Sequence, residues 1–281
     1  MKRSISLLAV LTVVGANIVT AQINYGGGTY FENFNTIFNT DGTGTAVLGT
    51  GGAAPGPQGA IPTLTTWQAE RLTGTGTGTF ALFADWGGSG ASANGRLYSY
   101  GLPASSERAL GANATANTTV GFGTWFVNTS SDTFGSVTLS FDREIWRTQA
   151  VATDQSLAFS YGFASGGIGT GNFITNGLMT AYAALNATSP SFYASLYAGV
   201  SGFTDPSTNM VPVSATITGL NWAPGDSLFI RWNDTLDVGS NAGIAIDNLD
   251  MKTTVVVPEP SCGAIVGLGI AAVALLRRKT R

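Results

Sequence analysis

The sequence predicts an all-β body folded as an antiparallel sandwich of two sheets. Three observations carry the prediction: short segments alternate strictly between apolar and polar residues, clusters of Gly, Asn, Ser and Pro separate them, and no long stretch repeats with a helical period. Of 281 residues only 10% are charged and 10% are aromatic, a composition that suits strands rather than charged surface helices.

In chain order, strands are expected at Thr79–Ala84, Arg96–Tyr100 and Thr119–Val127. Ser136–Phe141 follows, with Val137, Leu139 and Phe141 on one face and Ser136, Thr138 and Ser140 on the other. Leu157, Phe159, Tyr161 and Phe163 alternate with Ala158, Ser160 and Gly162, and Val213, Ala215 and Ile217 alternate with Ser214, Thr216 and Thr218. Further strands are expected at Phe192–Ala198, Ser227–Trp232 and Gly243–Met251, while Thr175–Asn186 reads equally as a short helix or a strand. About ten strands with turns between them favour two packed sheets in the manner of a jelly roll. Ala53–Gly59 reads as a surface loop, and the Thr-Gly alternation of Thr73–Thr79 as a strand edge or loop.

The two ends differ from the body. Met1-Lys2-Arg3 precedes an apolar run from Ile5 to Val19, and Val19-Thr20-Ala21 supplies small residues before Gln22. That is the layout of a secretion signal over 1–21, a short helix cleaved between Ala21 and Gln22. The body spans 22–254. Over 255–281, Pro258-Glu259-Pro260 leads into an apolar and small stretch, Cys262 to Leu276, and then Arg277-Arg278-Lys279-Thr280-Arg281. The prolines keep the tripeptide extended, the apolar stretch can form a transmembrane helix, and the terminal cations hold its end on the cytoplasmic side.

A Pro-Glu-Pro tripeptide, a short membrane helix and an arginine-rich end, in that order, closely resemble the PEP-CTERM sorting signal. The resemblance implies handling by an exosortase, a membrane protease or transpeptidase, in Gram-negative bacteria that make extracellular polysaccharide. Pro258, Glu259 and Pro260 are the matching positions, as that enzyme's substrate. In the body, Glu107-Arg108-Ala109-Leu110-Gly111, Phe229-Ile230-Arg231-Trp232 and Gly243–Leu249 are similar to segments of exported jelly-roll proteins that often carry such tails; this implies the fold and no activity.

Composition excludes several chemistries. Histidine is absent and the single cysteine, Cys262, lies in the tail, so the body has no histidine base or ligand, no thiol nucleophile and no disulfide. From Gln22 to Pro258 there are seven Lys or Arg against fifteen Asp or Glu, a net charge of −8. A nucleic-acid partner needs the opposite sign.

The remaining candidates are carboxylates and tryptophans. Asp142 and Glu144, two apart on a strand, share a face as a glycosidase pair must, although charges at a strand end near Ile145-Trp146 explain them equally. No catalytic residue is assigned and no cofactor is required. A structural calcium is compatible with Asp234, Asp237, Asp247 and Asp250, with Asp247 foremost, because calcium takes hard oxygen ligands. Among Trp67, Trp86, Trp125, Trp146, Trp222 and Trp232, Trp125 and Trp232 fall in alternating strands and read as core. Trp86, followed by Gly87-Gly88-Ser89-Gly90, is the loop residue best placed to stack on a sugar ring. The expected role is a non-enzymatic cell-surface or matrix protein associated with extracellular polysaccharide. A carbohydrate-binding module and a carboxylate-based glycoside hydrolase are the alternatives.

Overall fold

A computed structural model describes residues 22–37, 44–49, 58–73, 80–86, 95–115, 118–148, 154–166, 179–189, 202–234 and 242–256. The expected strand Phe192–Ala198, both terminal segments, Ala21 and Pro258–Pro260 lie outside them. No helix among the described residues is long and apolar enough to cross a membrane.

Seventeen strand segments occur among the described residues. In the first half of the chain they are β1 (Ile23–Tyr25), β2 (Thr29–Glu32), β3 (Gly44–Gly49), β4 (Gln58–Ile61), β5 (Leu64–Thr73), β6 (Phe80–Asp85), β7 (Arg96–Tyr100), β8 (Ala109–Asn113) and β9 (Thr119–Asn128). Then come β10 (Phe134–Thr148), β11 (Gln155–Ala164), β12 (Thr180–Ala181), β13 (Ala187–Ser189), β14 (Gly202–Phe203), β15 (Val211–Trp222), β16 (Ser227–Asp234) and β17 (Gly243–Val255).

They form the two sheets of a sandwich. The first runs β12-β11-β16-β9-β5-β4, with β1 beside β9 and β13 beside β11. The second runs β14-β10-β17-β8-β7-β6-β3, with β15 beside β10 and β2 beside β17. Pairing is antiparallel except for β1 with β9 and β6 with β7, which are parallel, so the expected purely antiparallel sandwich is corrected to a mixed one. A parallel neighbour needs a crossover of some length rather than a hairpin, and strand alternation carries no information about that.

The alternation expected of the strands is what closes the core. Trp67, Phe122, Phe126, Phe159, Ile230 and Trp232 of the first sheet meet Leu82, Leu110, Leu139, Phe141, Ile246 and Met251 of the second in one buried cluster. Each such side chain contributes roughly 1.5–3 kcal/mol by leaving water. Trp232 is its centre: its ring stacks with Trp67 at 6.3 Å and Phe122 at 6.1 Å, and meets Phe159 and Phe141 edge-on at 5.0 and 5.4 Å. Its indole Nε1 donates to the Leu185 carbonyl at 3.3 Å, so no polar atom is left bare.

Loops are fixed by buried amides. Asn128 donates through Nδ2 to the carbonyls of Asp132 and Trp222 at 2.8 and 2.9 Å, and its Oδ1 accepts from the Ser130 backbone N–H at 3.0 Å. Asn209 does the same for the far part of β10, donating to Ile145 O and accepting from Ile145 N. That anchoring, together with β17 alongside, carries β10 through to Thr148 rather than letting it end near Ile145-Trp146.

Other boundaries differ locally. Thr180–Ala181 is a two-residue strand and Ala183–Leu185 a 3-10 turn, so the ambiguous Thr175–Asn186 segment contains both kinds of structure where it is described. Gln58 and Gly59 belong to β4 rather than to a loop, because they pair with Glu70 and Ala69 of β5.

Both sheets also carry smaller apolar clusters on their outer faces. Trp125, Val127 and Phe229 cluster on the first sheet. Tyr98, Tyr100, Ala109, Trp146 and Ala245 cluster on the second, with Tyr98 stacked on Tyr100 at 5.0 Å and Tyr100 on Trp146 at 5.8 Å. Trp125 is therefore buried as expected, but away from the main core that Trp232 occupies. Gly111 of β8 permits the close approach of β17 there: a Cβ would press on the Ile244 carbonyl oxygen and lie 2.8 Å from the Ala245 Cβ.

Candidate functional site

The outer face of the first sheet holds a strip without side chains, bordered by polar ones. Its register pairs Glu70 of β5 with Gly121 of β9 and Gly121 with Asn233 of β16. One row along, Gln68 pairs with Gly123, Gly123 with Arg231, and Arg231 with Ser160 of β11. Period two puts all of these on the face opposite Trp67, Ala69, Phe122 and Trp232. The two glycines, both buried, place no side chain between the flanking residues of β5 and β16, which stand about 10 Å apart, two strand spacings. Trp125 and Phe229, paired in the next row with rings 6.2 Å apart, close one end.

The electrostatics of this strip are unusual. Glu70 is fully buried, and neither of its carboxylate oxygens has a hydrogen-bond donor. Burial raises its carboxyl to about 7, tempered by the Arg231 charge. Burial also lowers the Arg231 guanidinium, which Glu70 partly restores, and Arg231 Nε donates to Ser160 Oγ at 3.1 Å. Arg231 and Asn233 are only half-buried, so the strip is approached from their side. Asn233 Oδ1 also has no hydrogen-bond donor. The arrangement gathers carboxylate and amide acceptors, amide donors, a guanidinium and two buried aromatic rings around two glycines, with Arg231 and Asn233 as its more accessible members.

A second polar group lies on the outer face of the other sheet and unites two sets of sequence candidates. Asp142 and Glu144 do share a face of β10, and Asp142 sits directly across from Asp247 of β17. The chain bulges at Asn248, whose φ is 50°, and Asn248 Nδ2 donates to Asp142 Oδ2 at 3.0 Å. Glu144 Oε2 accepts from Trp146 Nε1 at 2.8 Å. Glu107, exposed just before β8, accepts from Asn35 Nδ2 at 3.4 Å, and its charge acts on Asp247. Burial and this crowding raise Asp247 to about 8 and Glu144 to about 7.

Of the four aspartates compatible with a calcium, the three that are described, Asp234, Asp247 and Asp250, are not gathered into one group. Asp234 ends β16 in the other sheet, Asp250 forms an ion pair with Lys252 at 3.0 Å, and Asp237 lies outside the described residues. Their nearness in sequence is undone by strands that carry them to different sheets. Among the described residues no group of three or more His, Cys, Asp or Glu stands ready to hold a metal ion. Trp86 follows β6, half-buried, on the sheet opposite the glycine strip, and Gly87–Gly90 lie outside the described residues. Gln22 is exposed immediately before β1. Sequence reasoning missed Gln68, Glu70, Arg231 and Asn233; the signal available was polar residues alternating with Trp67, Ala69 and Trp232 beside Gly121-x-Gly123.

The sequence matches no protein-family model and no curated protein. Among solved structures it is similar to the enzymatically active domain of tailspike protein 4 from bacteriophage CBA120, at 12% identity and TM-score 0.30, covering 53% of this chain but 16% of that one. It is also similar to the CBM22-2 xylan-binding domain of Paenibacillus barcinonensis Xyn10C, at 12% identity and TM-score 0.33, covering 57% of this chain and 86% of that domain. A third is TmCBM61 in complex with β-1,4-galactotriose, at 8% identity and TM-score 0.27, covering 54% and 74%. At these scores the likeness does not extend to ligand or activity.

Proposed function

We propose that this is an exported, non-enzymatic envelope or matrix protein whose jelly-roll-like sandwich holds extracellular polysaccharide in the glycine-floored strip of the first sheet. Glu70 carries the reading. A carboxylate removed from water without a donor costs on the order of 1–3 kcal/mol or more, and a site that keeps one is suited to a ligand that brings its own hydroxyl donors. A sugar does so: vicinal hydroxyls donate to Glu70 and accept from Arg231 and Gln68, while the apolar ring face lies on glycine backbone or against Trp125. On this reading an exosortase acts at Pro258-Glu259-Pro260 after the signal over 1–21 has been removed, and the body faces outward.

Two measurements test it. On a glycan array the protein is expected to bind a subset of neutral polysaccharides, with Arg231→Ala weakening binding about tenfold or more, the cost of a charge-assisted hydrogen bond. Loss of binding in Trp86→Ala with full binding in Arg231→Ala would move the contact to the β6 loop, and release of reducing ends from the bound glycan would replace binding by hydrolysis. Mass spectrometry of the exported protein is expected to find a C-terminus near Pro258–Pro260; an intact Arg281 would remove the sorting part of the proposal.

A further inference from the structure

Among the described residues, the strands that end the two sheet orders are short: two residues in β12 and in β14, four in β4 and six in β3. A short edge offers little backbone to pair with and so keeps another chain from extending the sheet. β15 is different. It is twelve residues long and, among the described residues, pairs only with β10. Its register with β10 is regular from Val211–Arg143 to Thr218–Ser136, so no bulge twists this stretch away from an incoming strand. Charge does not guard it either, since residues 206–225 contain no Asp, Glu, Lys or Arg.

The direction of its backbone groups is set at Thr216. Thr216 stands opposite Thr138 with their hydroxyl oxygens 2.8 Å apart, the close approach of a pair that exchanges no backbone hydrogen bonds. The Thr216 carbonyl accordingly points away from β10, where the Tyr182 hydroxyl donates to it at 2.8 Å. By period two, the backbone groups of Ser214 and Thr218 point to the same side, and the side chains of all three residues are exposed on the outer face of the sheet. Val213, Ala215 and Ile217 pack toward the core instead. Met210 and Val211, 48% and 41% exposed, add apolar surface where the strand begins.

We propose that this edge joins two copies of the chain, β15 lying antiparallel to β15 of a second copy so that their second sheets become one. From Gln22 to Pro258 the net charge is −8, so two copies repel over most of their surface, and the uncharged β15 is a place where they meet without opposing like charges. Pro212 has no N–H to offer. Pairing centred on Thr216 avoids it: Thr216 then faces itself across a twofold axis and Ser214 faces Thr218, a self-complementary set. The Thr216 carbonyl has a second lone pair for this, beside the one that Tyr182 uses.

Glycan binding is assigned to the other sheet, so the joining of copies stands or falls independently of it. Light scattering and sedimentation of the exported protein are expected to show a monomer–dimer equilibrium as concentration rises through roughly 1–100 µM, the range of a small interface. Thr216→Lys, a change at an exposed position, sets two like charges face to face and should weaken the dimer at least tenfold, as should Thr216→Asp. Mixing these two variants restores it, because opposite charges then meet. Thr138→Lys, on the same face but one strand in from the edge, leaves the dimer intact. A monomer throughout that range, a dimer indifferent to Thr216→Lys, equal weakening by Thr138→Lys, or Lys and Asp variants of native circular dichroism that stay monomeric when mixed would each overturn the assignment.

Discussion

Trp232→Ala is expected to cost about 3–5 kcal/mol of folding stability, enough to leave a protein of ordinary stability marginal or unfolded. The indole touches Trp67, Phe122, Phe141 and Phe159 and lies fully buried between the sheets, so truncation opens a cavity lined by four rings that cannot collapse independently. It also strands the Leu185 carbonyl that the indole N–H satisfies. Urea unfolding followed by intrinsic fluorescence measures the loss. Trp232→Phe, which keeps the ring and deletes the donor, should recover more than half of it. A loss in Trp232→Ala below about 1 kcal/mol would mean that the sheets do not meet at this residue.

Glu70→Gln should act in the opposite direction at alkaline pH. The folded carboxyl is raised to about 7 from an ordinary value of 4.5, so between those values the native state holds a proton that the unfolded chain has released. Stability from this group is therefore full at pH 4–5 and declines as pH rises through about 7, the reverse of an ion-paired carboxylate. A shift of that size, in which the opposing effect of Arg231 is already included, corresponds to about 3 kcal/mol. Wild type and variant should be nearly equal at pH 5, and the variant more stable at pH 8. Because Glu144 and Asp247 also rise on burial, the readout is the difference between the two proteins at each pH, to which those groups contribute equally. Equal pH dependence in both proteins would show that Glu70 is ionised and well solvated in the fold. If the strip binds glycan, the variant gains stability while losing affinity, the usual opposition between a stable surface and a functional one.

The sequence made the alternating strands legible because each shows its buried face locally. Arg96–Tyr100 has the expected bounds, and Ser136–Phe141, Leu157–Phe163 and Val213–Thr218 sit inside β10, β11 and β15. β5 escaped because Gln68-Ala69-Glu70-Arg71 favours helix by propensity, and its inward row of Trp67 and Ala69 is short. β8 escaped because Ala109–Asn113 contains residues with little strand preference, held instead by neighbours on both sides. The glycine strip depends on register between β5, β9 and β16, which are far apart in the chain, and a one-residue slip would turn Glu70 and Arg231 inward. Asp142 and Glu144 could be seen to share a face. Their meeting with Asp247 could not, since it requires β17 alongside β10, and the bulge at Asn248 sets which β17 side chains face outward.

β17 is an interior strand, hydrogen-bonded to β10 along one edge and to β8 and β2 along the other. Everything on either side of it is made earlier in synthesis, so until residues 243–255 emerge the second sheet exists as two halves with a missing seam. Closing the seam joins partners more than 200 residues apart, such as Met251 and Tyr30, which makes it a slow step of folding.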